Sequence, residues 1–224
     1  MIEEIVKPER GTNLRKNGFK ELKLSIDSTL LDKIFLINGT FFLTEKLTIA
    51  DLTIKPDDYY MIINKSDKDV KVKYSKNIAH HSIIYEPYKF ESSKKKKFNP
   101  KEFSKKYNVP SGYIDTLNKW YSIKFTYSDH NLIYIRPEIG ISIQLHQYRS
   151  EHWKILKGNP IIINRDKVYY FVKKGTEFLS PKLTYHSVLN PNKNPEQFVI
   201  IEERWSGNFD EEDITRVYNP NNYH

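Results

Sequence analysis

The sequence predicts an all-β protein, and three observations carry that expectation. Short segments with alternate apolar residues recur along the 224 residues. Clusters of Gly, Pro, Asn and Asp separate them at short intervals. Helical periodicity is confined to one stretch near the middle. Many short strands with almost no helix make a sandwich or a barrel.

The elements follow in order. Leu22, Leu24 and Ile26 alternate with Lys23 and Ser25, the period of a half-buried strand. Strands over 34–37 and 40–43 flank Asn38-Gly39, a strong hairpin signal. Strands over 47–54, 59–63 and 70–74 come next, with turn-rich segments at 55–58 and 64–69. Lys71 and Lys73 beside Val70 and Val72 suit a solvated or edge strand. His80-His81 reads as a surface turn, and the Lys94–Lys97 run as an exposed connection. Asn99-Pro100-Lys101-Glu102 is a helix start, with Asn99 as cap and Pro100 at the first helical position. A second short helix is expected from Ser111, with Ile114 and Leu117 on one face. Beyond Trp120 strands return over 121–127, 132–135, 141–146, 153–156, 160–163, 168–172, 185–189 and 197–202. No internal repeat is visible. The expected organisation is a small basic β-rich domain (sheet or sandwich) over 1–90, a Lys-rich linker with two short helices over 91–117, and a β-domain over 118–224.

Composition narrows the function. The net charge is +8, and residues 1–110 hold 22 basic against 15 acidic residues, whereas the remainder holds 14 against 13. The basic surface therefore belongs to the first half. Absence of cysteine excludes disulfides, thiolate zinc sites and thiol catalysis, and suits a reducing compartment. No apolar run approaches the ~18 residues of a membrane span. Residues 1–8 show neither a basic n-region nor an apolar h-region, so the expectation is a protein without a secretory signal, cytoplasmic or, if viral, in the virion. The 8 glycines form no dinucleotide or P-loop signature. Two short helices near Phe103, Tyr107, Ile114 and Leu117 faintly suggest a helix-turn-helix, but a third supporting helix is missing and nucleic acid is not expected as a partner.

The chemistry concentrates in Gln144-Leu145-His146-Gln147-Tyr148-Arg149-Ser150-Glu151-His152-Trp153. Gln144 and His146 are two apart on an expected strand and share a face. On the next strand Glu151, Trp153 and Ile155 share one face, and His152 and Lys154 the other. His186 lies on a later strand. An amide oxygen, two imidazoles and a carboxylate converging inside a barrel suit Zn, Co, Mn, Fe or Ni, with positions left for substrate.

These residues resemble the cupin superfamily. Its first motif, G-x5-H-x-H-x3,4-E-x6-G, is met by Gln144 in the first His position, His146, Glu151 and Gly158. Its second, G-x5-P-x-G-x2-H-x3-N, is met by Gly175, Pro181, His186 and Asn190, with Leu183 in place of the inner glycine. More narrowly, Gln144, His146, Arg149, Glu151, His152 and Trp153 resemble the Q-x-H-x-H-R-x-E-H-W of the C-terminal cupin domain of type II mannose-6-phosphate isomerase/mannose-1-phosphate guanylyltransferase. Ile201-Glu202, Ser206-Gly207 and Glu212-Asp213-Ile214-Thr215-Arg216 look like that family's closing segment, and Trp120 like its entry tryptophan. The resemblance covers about residues 118–218.

The resemblance implies a double-stranded β-helix, or jelly-roll barrel, for 118–224. It implies one divalent metal held by Gln144, His146, Glu151 and His186. It also implies interconversion of mannose 6-phosphate and fructose 6-phosphate by proton movement between neighbouring carbons. His152 and Arg149 are then the catalytic candidates, and Arg149, Lys154, Arg216 and Asn190 the substrate-binding ones. Arg149 has a plainer role as a salt bridge to Glu151 or to the acidic run at 210–213. Trp153 is read as core. Several features depart from the family: Tyr148 for a motif histidine, Lys119 and Tyr121 around Trp120, Asn219 for an aspartate, and the ending Asn221-Asn222-Tyr223-His224 where the family has Tyr-Gly-Arg. The first 110 residues lack a nucleotide loop, so no guanylyltransferase activity is implied. The second reading is a non-catalytic structural or carbohydrate-binding cupin, a homo-oligomer or member of a larger assembly such as a virion or phage particle. The missing terminal arginine and a first half without a catalytic constellation favour it, and usage rich in Lys, Asn, Ile and Tyr suits an AT-rich genome such as that of a virus or phage.

Overall fold

A computed structural model of the chain describes residues 2–45, 47–208, 210 and 212–221. The first half consists of β1 (Ile2–Val6), β2 (Leu14–Lys16), β3 (Leu22–Ser25), β4 (Ile34–Asn38), β5 (Phe41–Leu43), β6 (Thr53–Ile54), β7 (Tyr59–Asn64), β8 (Val70–Tyr74) and β9 (Ser82–Tyr85). Helix α1 (Pro100–Lys106) follows. The second half contains β10 (Asp115–Asn118), β11 (Ser122–Thr126), β12 (Asn131–Ile135), β13 (Ile139–Gly140), β14 (Ile143–Leu145), β15 (Arg149–Lys157), β16 (Ile161–Asn164), β17 (Lys167–Tyr169), β18 (Glu177–Ser180), β19 (His186–Asn190), β20 (Val199–Gly207) and β21 (Thr215–Tyr218). No helix among the described residues is long and apolar enough to cross a membrane.

The strands form two antiparallel sandwiches. In the first, β1-β8-β3-β6 closes over β5-β4-β7-β2-β9 around Leu22, Ile34, Ile54, Tyr60 and Val72. In the second, β10-β11-β12-β20-β15-β18 closes over β21-β14-β19-β16-β17 around Trp153, Ile155, Ile162, Val188 and Ile201. The inner sheets are continuous. β17 pairs with β5 at Lys167 and Phe41, flanked by Phe42 N–H to the Asp166 carbonyl (2.8 Å) and Val168 N–H to the Thr40 carbonyl (2.9 Å). A shared core lies beneath this seam, with Phe35, Phe42, Ile143, Ile161, Leu189 and Tyr218 drawn from both halves.

The two halves repeat one topology, although the sequence shows no repeat. Taken in chain order, β1 to β9 correspond one for one to β12 and β14 to β21, with every pairing preserved. The registers coincide. His186 faces Asn164 and Gln144, as Tyr60 faces Asn38 and Arg15. Asn164 starts the turn to β17 and Asn38 the turn to β5, each followed by a left-handed residue, Arg165 (φ 60°) and Gly39 (φ 59°). Both asparagine side chains donate across to the partner sheet, Asn164 to the Leu179 carbonyl and Asn38 to that of Thr53. Leu179 and Thr53 are themselves equivalent, opposite His152 and Lys23. Only alternation and turn chemistry are needed to build such a frame, so the two halves share a hydrogen-bonded ladder while their side chains differ.

Local expectations mostly hold. Asn99 caps α1 by accepting from the amides of Lys101 and Glu102, with Pro100 first in the helix. Phe103 anchors that helix against Phe98, Phe125, Tyr134 and Phe198. The second helix expected from Ser111 is instead strand β10, registered Asp115 to Thr126 through Asn118 to Ile123 on β11. A free sheet edge outweighs a weak helical preference, and Ile114 and Leu117 stay exposed. The helix-turn-helix resemblance fails with it. The strand expected over 47–54 shrinks to β6, because Asp51 accepts from both N–H and hydroxyl of Thr48 and holds a turn before it. His81 is hydrogen-bonded to the Tyr60 hydroxyl at 2.8 Å. Lys95, within the lysine run, caps the carbonyls of Phe90, Glu91 and Ser93.

Candidate metal centre

The site lies inside the second sandwich, and strand parity builds it. Along β15 burial alternates strictly, so Arg149, Glu151, Trp153 and Ile155 point inward and Ser150, His152 and Lys154 outward. His146 follows β14, and His186 opens β19 opposite Gln144. The turn after Pro181 ties the two motifs together, its Leu183 N–H donating to the His146 carbonyl at 2.7 Å. Leu183 sits at φ 60°, so it keeps the left-handed backbone that the cupin pattern assigns to glycine.

One donor atom from each of His146, Glu151 and His186 falls within 4.8 Å of the others, and all three residues are buried. His146 Nε2 is 2.9 Å from Glu151 Oε1, and His186 Nε2 is 3.5 Å from Glu151 Oε2. Each imidazole turns its Nδ1 to a backbone carbonyl, His146 to Asp213 and His186 to Thr184. A carbonyl only accepts, so both rings carry a proton on Nδ1 and turn Nε2 toward the carboxylate. His186 Nε2 is buried with no hydrogen-bond partner. An unpartnered ring nitrogen beside a carboxylate and a second ring nitrogen is a donor set that a borderline divalent cation fits.

Arg149 is buried beside them. Its Nε donates to Glu151 Oε1 at 3.0 Å, its Nη2 lies 3.2 Å from His146 Nε2, and Nη1 reaches the Asp210 and Asp213 carbonyls. The salt bridge to Glu151 expected of Arg149 is formed, and the same side chain lines the cavity on which the cluster opens. Asp213 accepts from the amides of Gln147 and Tyr148, which holds the closing segment against the site. The Trp153 indole N–H is shared between Glu151 Oε2 (3.1 Å) and Glu203 Oε2 (3.2 Å), so this core residue also orients the site.

Burial pushes the Glu151 carboxyl up, but the hydrogen bond from His146 and the charges of His186, His146 and Arg149 outweigh it and hold it below the ordinary carboxylate range. Burial lowers His186. For His146 burial acts the same way, yet the hydrogen bond and charge of Glu151 prevail and raise it.

The cluster opens on a cavity of about 100 Å³ lined by Gln144, Arg149, Glu151, Trp153, Glu203, Lys124, Lys119 and Arg216 among others. Gln144 therefore borders the site, with its side-chain oxygen accepting from Ser142. Arg216, opposite Gln144 on β21, also lines the cavity. Three expected residues are not brought there. His152 and Lys154 point outward and share Glu177, at 3.2 and 2.9 Å. Asn190 is buried and holds a loop through the Ile135 and Gln197 carbonyls. Residues 222–224, including part of the departing C-terminus, lie outside the described residues. The sequence reading missed Glu203 and Lys124. On β20 Val199, Ile201 and Glu203 share the inner face and Glu202 points away, but the run Val199-Ile200-Ile201-Glu202-Glu203 offers the same residue types at both parities and leaves no local signal.

The equivalent positions of the first sandwich are Arg15, Asn17, Leu22 and Tyr60 for Gln144, His146, Glu151 and His186. Among the described residues that half holds no metal-ligand cluster.

A jelly-roll barrel with a buried His-Glu-His cluster and a cation-lined mouth is the class that fold and site define. The chain belongs to the mannose-6-phosphate isomerase C-terminal family, whose pattern matches residues 99–219. It is 29% identical over 85 residues to the alginate biosynthesis protein AlgA of Pseudomonas aeruginosa, which covers 38% of this chain and 17% of that protein. It is 32% identical over 88 residues to a mannose-1-phosphate guanylyltransferase of Klebsiella pneumoniae, 39% of this chain and 18% of that one. The matched segment thus spans less than a fifth of those relatives. Among solved structures, an oxalate decarboxylase from Lactobacillus farciminis is 9% identical, covering 96% of this chain and 78% of that one with a TM-score of 0.38.

Proposed function

We propose that the chain is a metal-dependent sugar-phosphate isomerase that interconverts mannose 6-phosphate and fructose 6-phosphate. The observation that carries this reading is the unpartnered, buried Nε2 of His186 facing Glu151 and His146 beneath a cavity bordered by cations. His146, Glu151 and His186 would hold a divalent metal, with Gln144 beside them as the fourth donor. Bound there, such an ion supplies Lewis-acid polarisation of a substrate oxygen. The chain's own residues do the rest. Arg149 holds the Glu151 carboxylate in place and presents positive charge to the cavity. Arg216, Lys119 and Lys124 at the mouth suit a phosphate monoester, whose two negative charges need compensation on binding. Trp153 closes the floor and keeps water from it.

The test has two arms. Purified protein should contain close to one equivalent of a divalent transition metal, and His146→Ala combined with His186→Ala should abolish it. A coupled assay on mannose 6-phosphate should then show turnover in the metal-loaded protein and none in the double variant. Metal content that survives the double substitution rejects the site. A metal-replete protein without turnover rejects the isomerase reading and leaves a structural or carbohydrate-binding cupin.

A further inference from the structure

We infer that Glu203 carries the proton between the two substrate carbons, an inference that rests on the isomerase reading above. Aldose-ketose isomerisation needs one group beside the substrate that removes a proton from one carbon and returns it to the next. His152, the expected base, is turned outward beside Glu177. Glu151 is engaged by His146 and Arg149, and a guanidinium does not give up its proton.

Glu203 has the right placement. It is the second carboxylate lining the cavity among the described residues. It reaches the cavity from β20, whose inner face it shares with Val199 and Ile201. Its two oxygens are held by neutral donors, Oε2 by the Trp153 indole N–H at 3.2 Å and Oε1 by the Asn131 amide at 2.8 Å. The same indole N–H reaches Glu151, which fixes the two carboxylates relative to each other. Glu151 is committed to His146 and Arg149, so of the two carboxylates lining the cavity Glu203 is the one left to exchange a proton with a bound substrate.

The step balances within the substrate. The C2–H bond of the aldose breaks, its proton goes to a Glu203 oxygen, and the electron pair forms the C1=C2 bond as the C1 carbonyl becomes an oxyanion. The O2 hydroxyl proton passes to O1. C1 then takes the proton back from Glu203 as the C2 carbonyl forms. No oxidant, reductant or co-reactant is consumed.

The test compares wild type, Glu203→Gln and Glu203→Asp, each loaded in turn with Mn(II), Co(II) and Zn(II). Metal content and thermal midpoint are measured beside calorimetric binding of mannose 6-phosphate and steady-state kinetics. The expected result for Glu203→Gln is unchanged metal content, substrate binding within about threefold of wild type, and kcat lower by about 10²- to 10⁴-fold. Glu203→Asp, which keeps the carboxylate but shortens its reach, should recover part of kcat. Wild-type kcat in Glu203→Gln, with the wild type active, overturns the role of Glu203 and leaves the isomerase reading standing. Loss of metal or of fold in both variants makes Glu203 structural and also overturns it. A metal-loaded wild type that binds no mannose 6-phosphate and turns none over removes both.

Discussion

Glu202 and Glu203 differ by one position on β20 and by everything in their surroundings. Glu202 faces outward and pairs with Arg204 at 2.9 Å. Glu203 is nearly sealed among Lys124, Asn131, Glu151, Arg149 and Trp153, and burial together with the Glu151 charge pushes it up to about 7. A carboxyl raised on folding binds a proton in the native state that the unfolded chain, near its ordinary value of 4.5, has already lost. Stability therefore falls as pH rises from about 4.5 to about 7 and stays lowered above that, by up to about 3 kcal/mol. In protein stripped of metal, Glu203→Gln removes that cost. Its thermal midpoint should match wild type near pH 4.5 and exceed it by several degrees at pH 8. A difference that does not change with pH would show Glu203 to be ionised throughout.

At the scale of the element, Asn38 and Asn164 perform the same task in the two halves. Each ends the strand before a turn with a left-handed residue, and each pins the opposite sheet. Asn38 donates to the carbonyls of Asp51 (2.8 Å) and Thr53 (3.0 Å). Asn164 donates to Leu179 (3.2 Å) and accepts from Ser180 (2.9 Å). Alanine in either place leaves polar groups of the facing sheet unpaired, a loss of about 1–3 kcal/mol. Urea denaturation of Asn38→Ala and Asn164→Ala should show reduced stability of similar size. Wild-type stability in both would mean that backbone pairing alone holds the turns.

At the scale of the molecule, the two sandwiches share a sheet and a core, so the expected domain at 1–90 is not an appendage on a lysine-rich tether. Phe42 is buried beneath the seam and packs edge-on to Phe35 at 5.8 Å and to Tyr185 at 6.0 Å. We expect one calorimetric transition for the whole chain. Phe42→Ala, at a cost of about 3–5 kcal/mol, should lower that single transition and not split off one half. Two separated transitions in the wild type would show that the seam does not couple the halves. The arrangement also explains how one half can dispense with a metal: Leu22 and Tyr60, in the places of Glu151 and His186, join its hydrophobic core.

Sequence alone determined the all-β class, the cap of α1, the hairpin at Asn38-Gly39, and the convergence of His146, Glu151 and His186. These rest on local period and motif spacing, which a strand converts directly into direction. It did not determine which of Glu202 and Glu203 enters the barrel, because the starting register of β20 is set by its neighbours β12 and β15. Nor did it show that His152 and Lys154 would find a common partner in Glu177, that residues 115–118 would complete a sheet edge, or that the halves repeat one another. Those outcomes belong to pairing between strands far apart in the chain, where backbone hydrogen bonds and burial decide and single residues leave little local trace.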